Sequence, residues 1–280
     1  MSTLRALWGS SHPGPTLVVT ALALALGWAA GLDPARIALL GVAVFAGQLS
    51  VGISNDAIDA PRDRRTGRGD KPVARGDVGL SVAWGAAFTL LALALALSAI
   101  LGWRMLVAHA LALGSAWAYN AGLKSTPASI VPFVVSFGIF PSLATLSSPD
   151  PAFAPGWAWI AGGALGAAVH LTNVLPDLDD DAATGVRGLP HRWGPRTSTV
   201  AAAVAVIAGA VAVLAGAAGG DLATVTPISW VFFAGVIAVA AVTVIMVVRQ
   251  APSRALFRLV MLAGLLLAAQ LVATGRALVG

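Results

Sequence analysis

Two stretches of this chain, Thr16 to Gly31 and Ile228 to Val248, carry no charged residue. Each approaches the roughly 20 residues that an α-helix needs to cross about 30 Å of hydrocarbon. Lipid satisfies no backbone polar group, so such runs must span as helices or as a closed barrel. Long Ala, Leu and Val runs without alternation disfavour the barrel. Composition points the same way: 58% of the residues are apolar and only 10% are charged, against about a quarter charged in ordinary soluble domains. The fold class expected is all-α, a polytopic membrane protein.

Apolar runs set against polar breaks predict about nine transmembrane helices in a single bundle over residues 1–280, at 15–32, 37–54, 79–101, 105–119, 128–147, 156–175, 198–219, 227–248 and 257–276. The first run follows a thin positive segment, Arg5 alone, and reads as an uncleaved helix rather than a signal peptide. With the N-terminus in the cytoplasm, 14 of the 17 basic residues fall on that side, and only Arg36, Arg104 and Arg276 fall opposite. This asymmetry predicts an N-in, C-out topology. Nine of the 12 aspartates share the cytoplasmic side, although acidic residues contribute little to orientation, so their enrichment calls for a chemical cause.

Two long cytoplasmic connections, 55–78 and 176–198, hold most of the concentrated charge and are expected to cap the site. Cysteine is absent, which excludes disulfides, thiolate nucleophiles and thiolate metal sites. The net charge of +5 would suit nucleic acid only on a soluble basic module, and the chain has none. Nothing in the sequence specifies a protein partner.

The first connection opens Asn55-Asp56-Ala57-Ile58-Asp59-Ala60-Pro61-Arg62-Asp63, and the second Asn173-Val174-Leu175-Pro176-Asp177-Leu178-Asp179-Asp180-Asp181. Both read N-x-x-x-D-x-x-x-D. Residues four apart share a helix face, so each copy presents an amide and two carboxylates in a row. Pro61 is expected to bend or unwind the turn carrying Asp63, and Pro176 to start a fresh turn with Asp177 and Asp181. Clustered carboxylates beside lipid repel one another unless a cation lies between them. Mg²⁺ takes oxygen ligands and is commonly held by one or two carboxylates together with substrate phosphates. The candidate metal ligands are Asn55, Asp59, Asp63, Asn173, Asp177 and Asp181, with Asp59, Asp63, Asp177 and Asp181 as the catalytic carboxylates. Arg62, Arg64, Arg65, Arg68 and Lys71 after the first row, Arg187 and Arg192 after the second, and Lys124 between them suit phosphate, as Arg forks and Lys point charges both do; the candidate diphosphate contacts are Lys71, Lys124, Arg187 and Arg68. Solvated loop charges and helix caps would account for the basic residues, but not for one spacing, with Asn first, at two span exits.

The segments NDAIDAPRD and NVLPDLDDDAATGVRGLP resemble the two aspartate-rich signatures of the UbiA superfamily of intramembrane prenyltransferases, and the span layout is similar to that family's along nearly the whole chain. The resemblance implies that the two motifs hold Mg²⁺ and the diphosphate of an isoprenyl donor. Lys71 and Arg75 resemble the tail of the first motif; Gly185, Arg187, Leu189 and Pro190 resemble that of the second. Tyr119-Asn120-Ala121-Gly122-Leu123-Lys124 is similar to a Tyr and Lys signature, which implies Lys124 at the diphosphate and Tyr119 at substrate. His12 stands where the family often has a basic residue before a proline, and is a second candidate substrate contact.

The function the resemblance implies is Mg²⁺-dependent transfer of an isoprenyl group from an allylic isoprenyl diphosphate to a lipid-soluble, aromatic or quinone-precursor acceptor. The alternative is a membrane terpene cyclase that ionises the same donor without an external acceptor. An ion transporter is disfavoured, because its sites sit at broken helices near the midplane whereas these carboxylates lie at span exits. His170 reads as packed and hydrogen-bonded. Phe45, Phe133 and Phe137 could flank a carbocation, but helix packing is the favoured reading of all three.

Overall fold

The computed structural model describes residues 2–67, 69, 71–175, 178, 185–249 and 254–278. Short α1 (Thr3–Ser10) precedes α2 (Pro13–Ala29), α3 (Pro34–Arg65), the single turn α4 (Pro72–Arg75), α5 (Leu80–Leu101) and α6 (Trp103–Ala121). After two 3₁₀ turns come α7 (Val131–Thr145), α8 (Gly156–Asn173), α9 (Leu189–Ala217), α10 (Pro227–Arg249) and α11 (Arg254–Ala273). Among the described residues there is no strand, and each span expected from the sequence falls on one of these long helices. Among the described residues, five segments are long and apolar enough to cross a bilayer by length and composition: α3, α5, Pro127–Thr145, α9 and the Pro227–Val247 part of α10. Helix α2 and the Arg258–Ala273 part of α11 are shorter apolar helices.

Helix α3 governs the layout. Asp33 caps it, accepting from the N–H groups of Ala35 at 3.0 Å and Arg36 at 3.1 Å, with Pro34 at the first turn. Its 32 residues reach about 48 Å at 1.5 Å per residue. About 20 residues suffice to cross the hydrocarbon, so the helix is long enough to carry the first acidic motif beyond it. Of the bent or unwound turn expected at Pro61, the unwinding does not occur: the helix continues to Arg65. Proline deletes one backbone hydrogen bond, while Ala57 and Ala60 are packed with Val73, Val78, Ala83 and Ala87 and hold the turn in place. The N–H of Thr66 donates to the Arg62 carbonyl at 3.1 Å and closes the helix. The first connection is therefore shorter than 55–78. The second is shortened at its far end, because α9 already begins at Leu189. That helix bends at Gly194, whose φ of 76° suits glycine, immediately before Pro195.

Helices α7 and α8 meet backbone to backbone. A methyl group on Gly162 would lie 2.1 Å from the Phe137 carbonyl oxygen, and one on Gly166 would lie 2.3 Å from that of Phe133. Small residues four apart permit this approach between membrane helices, and it fixes the end of α8 against the start of α7. At one end of the bundle, Arg36 donates to the Ser147 carbonyl at 2.7 Å and Arg104 to the Pro151 carbonyl at 2.9 Å. That end also holds a cavity of about 640 Å³ bordered by Trp28, Gly31, Leu214, Thr226, Val272 and Gly275. The acidic motif lies at the opposite end.

Gly162→Ala is expected to destabilise the protein by ~1–3 kcal/mol, read as a lower thermal-unfolding midpoint in detergent. Gly114→Ala, where an added methyl meets no atom within 4 Å, should leave the midpoint unchanged.

Candidate active site

The projecting end of α3 carries three aspartates that are almost wholly buried: Asp56 is 1% exposed, Asp59 7% and Asp63 2%. Buried carboxylates demand matched cations, and the chain supplies them from distant segments. Lys124 Nζ donates to Asp59 Oδ1 at 2.5 Å, and Arg62 lies 3.2 Å from Asp59 Oδ2 and 3.4 Å from Asp63 Oδ1. Lys71 Nζ donates to Asp56 Oδ1 at 2.5 Å, and His12 Nε2 lies 3.3 Å from the same oxygen. Asp56 Oδ2 and Asp63 Oδ2 are buried with no hydrogen-bond partner among the described residues.

Lys124 owes its place to the end of α6. The Asn120 amide donates to the Val51 carbonyl at 2.9 Å and to Ser54 Oγ at 3.0 Å, while its Oδ1 accepts from Asn55 Nδ2 at 3.1 Å. This polar clasp fastens α6 to α3 one turn ahead of Asp59. The chain then leaves the helix and turns through Leu123–Ser125, which sets the ammonium on the carboxylate. Burial pushes the Lys124 ammonium below the usual lysine range, and the neighbouring Asp59 carboxylate opposes that shift.

A second clasp joins α7, α8 and α9. Ser129 Oγ lies 3.0 Å from His170 Nε2 and accepts from the Leu189 N–H at 2.8 Å. A methyl on Gly188 would lie 2.6 Å from the Lys124 carbonyl oxygen. The tail of the second acidic segment is thereby pinned beside Lys124. Tyr119 meets Phe133 edge-on at 5.0 Å between ring centroids, and Phe133 lies 4.9 Å from the His170 ring. These rings sit next to the lysine-bearing turn. Phe137 stacks with Phe133 at 6.5 Å, whereas Phe45 packs with Trp8, apart from the other two.

Several residues singled out in the sequence therefore converge: Asn55, Asp59, Asp63 and Lys124, with Lys71 and His12 one turn away on Asp56, while Tyr119 sits with Phe133 and His170 at the second clasp. Asn55 spends its amide on Asn120 here. Asn173 and Arg187 are exposed, close in sequence to the His170 and Leu189 ends of the second clasp. Asp177, Asp181 and Arg68 lie outside the described residues. His170 is packed and hydrogen-bonded, as its sequence setting suggested. Sequence reasoning passed over Asp56, Asn120 and Ser129. The signal for Asp56 was its place three residues before Asp59, on the same helix face. Ser129 gave no signal.

Among the described residues, no three His or Asp side chains gather closely enough to hold a metal by themselves. The donors nonetheless fit a hard divalent cation, being oxygens of buried carboxylates with Asp63 Oδ2 left unpaired. A cation shared with a diphosphate needs only one or two of them.

A model of the UbiA prenyltransferase family matches residues 16–271. Among solved structures the chain is similar to one concerned with digeranylgeranylglyceryl phosphate synthase in membranes, with a TM-score of 0.74, 12% identity and 99% of each chain covered. It is also similar to a UbiA homologue from Archaeoglobus fulgidus bound to GPP and Mg²⁺, with a TM-score of 0.70, 16% identity, and 98% of this chain and 99% of that chain covered. The structure of such a homologue bound to DMAPP and Mg²⁺ gives a TM-score of 0.71 at the same identity of 16% and the same coverage, 98% and 99%. At these identities the likeness is one of fold. No curated protein matches the chain.

Removing Asp59 leaves the Lys124 ammonium buried without its carboxylate. In metal-free detergent, Asp59→Ala is expected to lose ~3–5 kcal/mol of stability. Adding Lys124→Met should restore most of it, with both effects read by thermal unfolding of the purified variants.

Proposed function

As the chain belongs to the UbiA prenyltransferase family, we propose that it transfers an isoprenyl group from an allylic isoprenyl diphosphate to a lipid-soluble acceptor, aromatic or quinone-precursor in chemistry. The observation that carries this reading is the Lys124–Asp59 pair within a row of buried acids. Such a row at the end of an apolar bundle suits a water-poor site for a charged head with a greasy tail. The A. fulgidus homologue, bound to GPP or DMAPP with Mg²⁺, supports the same donor class.

Asn55, Asp59 and Asp63, with Asn173, Asp177 and Asp181, would hold Mg²⁺. When bound, Mg²⁺ supplies Lewis-acid neutralisation of the diphosphate leaving group. The chain's own cations act alongside. Lys124 points a full charge at the site from a buried position, where it acts more strongly than in water. Lys71, Arg187 and Arg68 add further donors to phosphate oxygens. The bond that breaks is the donor's allylic carbon–oxygen bond, whose electron pair leaves on the diphosphate. The acceptor's nucleophilic atom then bonds to the allylic carbon and gives up its proton. The faces of Phe133, Phe137 and Tyr119 stabilise the positive charge between these events, and the apolar walls exclude the water that would quench it.

The excess of basic residues on the segments at this end supports a cytoplasmic site, with the N-terminus inside and the C-terminus outside.

Purified protein is to be incubated with geranyl diphosphate, Mg²⁺ and a panel of aromatic and quinol acceptors, with diphosphate release and prenylated product both measured. Asp59→Ala and Asp177→Ala are expected to abolish turnover while membrane insertion is unchanged. Full activity in both variants would refute the assignment. Diphosphate release with a cyclic hydrocarbon and no acceptor would replace transfer by cyclisation.

A further inference from the structure

Asp56 is not one of the N-x-x-x-D-x-x-x-D positions, yet at 1% exposed it is the most deeply buried carboxylate on the projecting end of α3. A lone ionised carboxylate in such a place is unfavourable by several kcal/mol unless paired. Its Oδ1 takes the Lys71 ammonium at 2.5 Å and faces His12 Nε2 at 3.3 Å, and Lys71 Nζ is itself 3.4 Å from that ring nitrogen. The three groups form one compact cluster drawn from three parts of the chain.

The backbone around the cluster is built to keep it. His12 holds a left-handed conformation, with φ 53° and ψ 69°, which a non-glycine residue adopts only where its surroundings impose it. Those surroundings are visible. A methyl on Gly52 would lie 2.3 Å from the Ser11 carbonyl oxygen, Thr16 Oγ1 donates to the same carbonyl at 2.8 Å, and one on Gly9 would lie 3.1 Å from Pro72 Cγ. The turn between α1 and α2 is thus pressed onto α3 on one side and touches α4 on the other. Lys71 is the residue that starts α4, so the Asp56 contact anchors the segment joining α3 to α5 at its middle.

An ammonium has three donors, and Asp56 uses one. Asp56, which holds Lys71, stands one helical turn before Asp59, which holds Lys124, on the same helix α3. We infer that Asp56 is a positioning residue, which through Lys71 holds a second lysine over the diphosphate of the donor, opposite Lys124. The inference rests on the functional reading above. It makes the donor head one that is gripped by two lysines from different loops, each seated on its own α3 aspartate.

The test compares wild type, Asp56→Asn, Lys71→Met, the double variant and Asp56→Glu. Kinetics of diphosphate release from geranyl diphosphate are measured with Mg²⁺, and trypsin cleavage after Arg75 is followed in metal-free, substrate-free protein. Asp56→Asn and Lys71→Met are each expected to raise KM about tenfold with kcat little changed, the loss of one charge-assisted hydrogen bond. The double variant should be no worse than the poorer single, because both changes remove the same contact. Asp56→Glu should recover most of the loss, and both single variants should be cleaved faster after Arg75. Additive losses, a fall in kcat at unchanged KM, or unchanged trypsin cleavage would each overturn the inference while leaving the functional reading intact. A wild type that ionises no donor would instead overturn the functional reading, and this inference with it.

Discussion

Three carboxylates buried on one helix end would repel each other strongly in surroundings of low polarity, and the structure answers with cations delivered from elsewhere in the chain. Lys124 arrives from the turn after α6, Lys71 from the segment after α3, and Arg62 from the next turn of α3 itself. The positions of the α6 end, of α4 and of the α1–α2 turn all follow from bringing these charges together. A bundle of apolar helices has little directional preference of its own, since lipid is as apolar as leucine. The polar contacts at this end supply the register that apolar packing does not.

That register is carried through the fold by a few uncharged contacts. Asn120 ties α6 to α3 through Val51, Ser54 and Asn55. The close approach of α7 and α8 at Gly162 and Gly166 sets where His170 meets Ser129. Ser129 then fixes Leu189, so that the end of the second acidic segment lands beside Lys124. The opposite end uses its charged groups differently, Asp33 as a helix cap and Arg36 and Arg104 as donors to loop carbonyls. The buried carboxylates and their cations are thus gathered at one end of the bundle, while the charged groups at the other end satisfy helix and loop backbone.

Much of this could be read from the sequence, because apolar run length and the spacing of Asn55, Asp59 and Asp63 are local properties. The run lengths place the helices, and the motif falls where α3 leaves the hydrocarbon. Pro61 misled because its effect on a helix is judged locally, whereas the packing of Ala57 and Ala60 against Val73 and Val78 is tertiary. Asn55 also donates through its Nδ2 to Asn120, a partner 65 residues away that no local pattern announces. Asp56 was hidden by the motif itself, since the repeated spacing drew attention to its neighbours. Ser129 is a single hydroxyl whose importance comes only from what three helices bring to it.

The claim on which the account stands is that the acidic end of α3 holds a divalent cation jointly with a diphosphate. Electron paramagnetic resonance of protein-bound Mn²⁺, used in place of Mg²⁺, tests this directly with inorganic pyrophosphate present or absent. The account predicts that Mn²⁺ is retained on the protein only with pyrophosphate, and that Asp59→Asn releases it. Retention that ignores pyrophosphate, or that survives the loss of the Asp59 carboxylate, would contradict it.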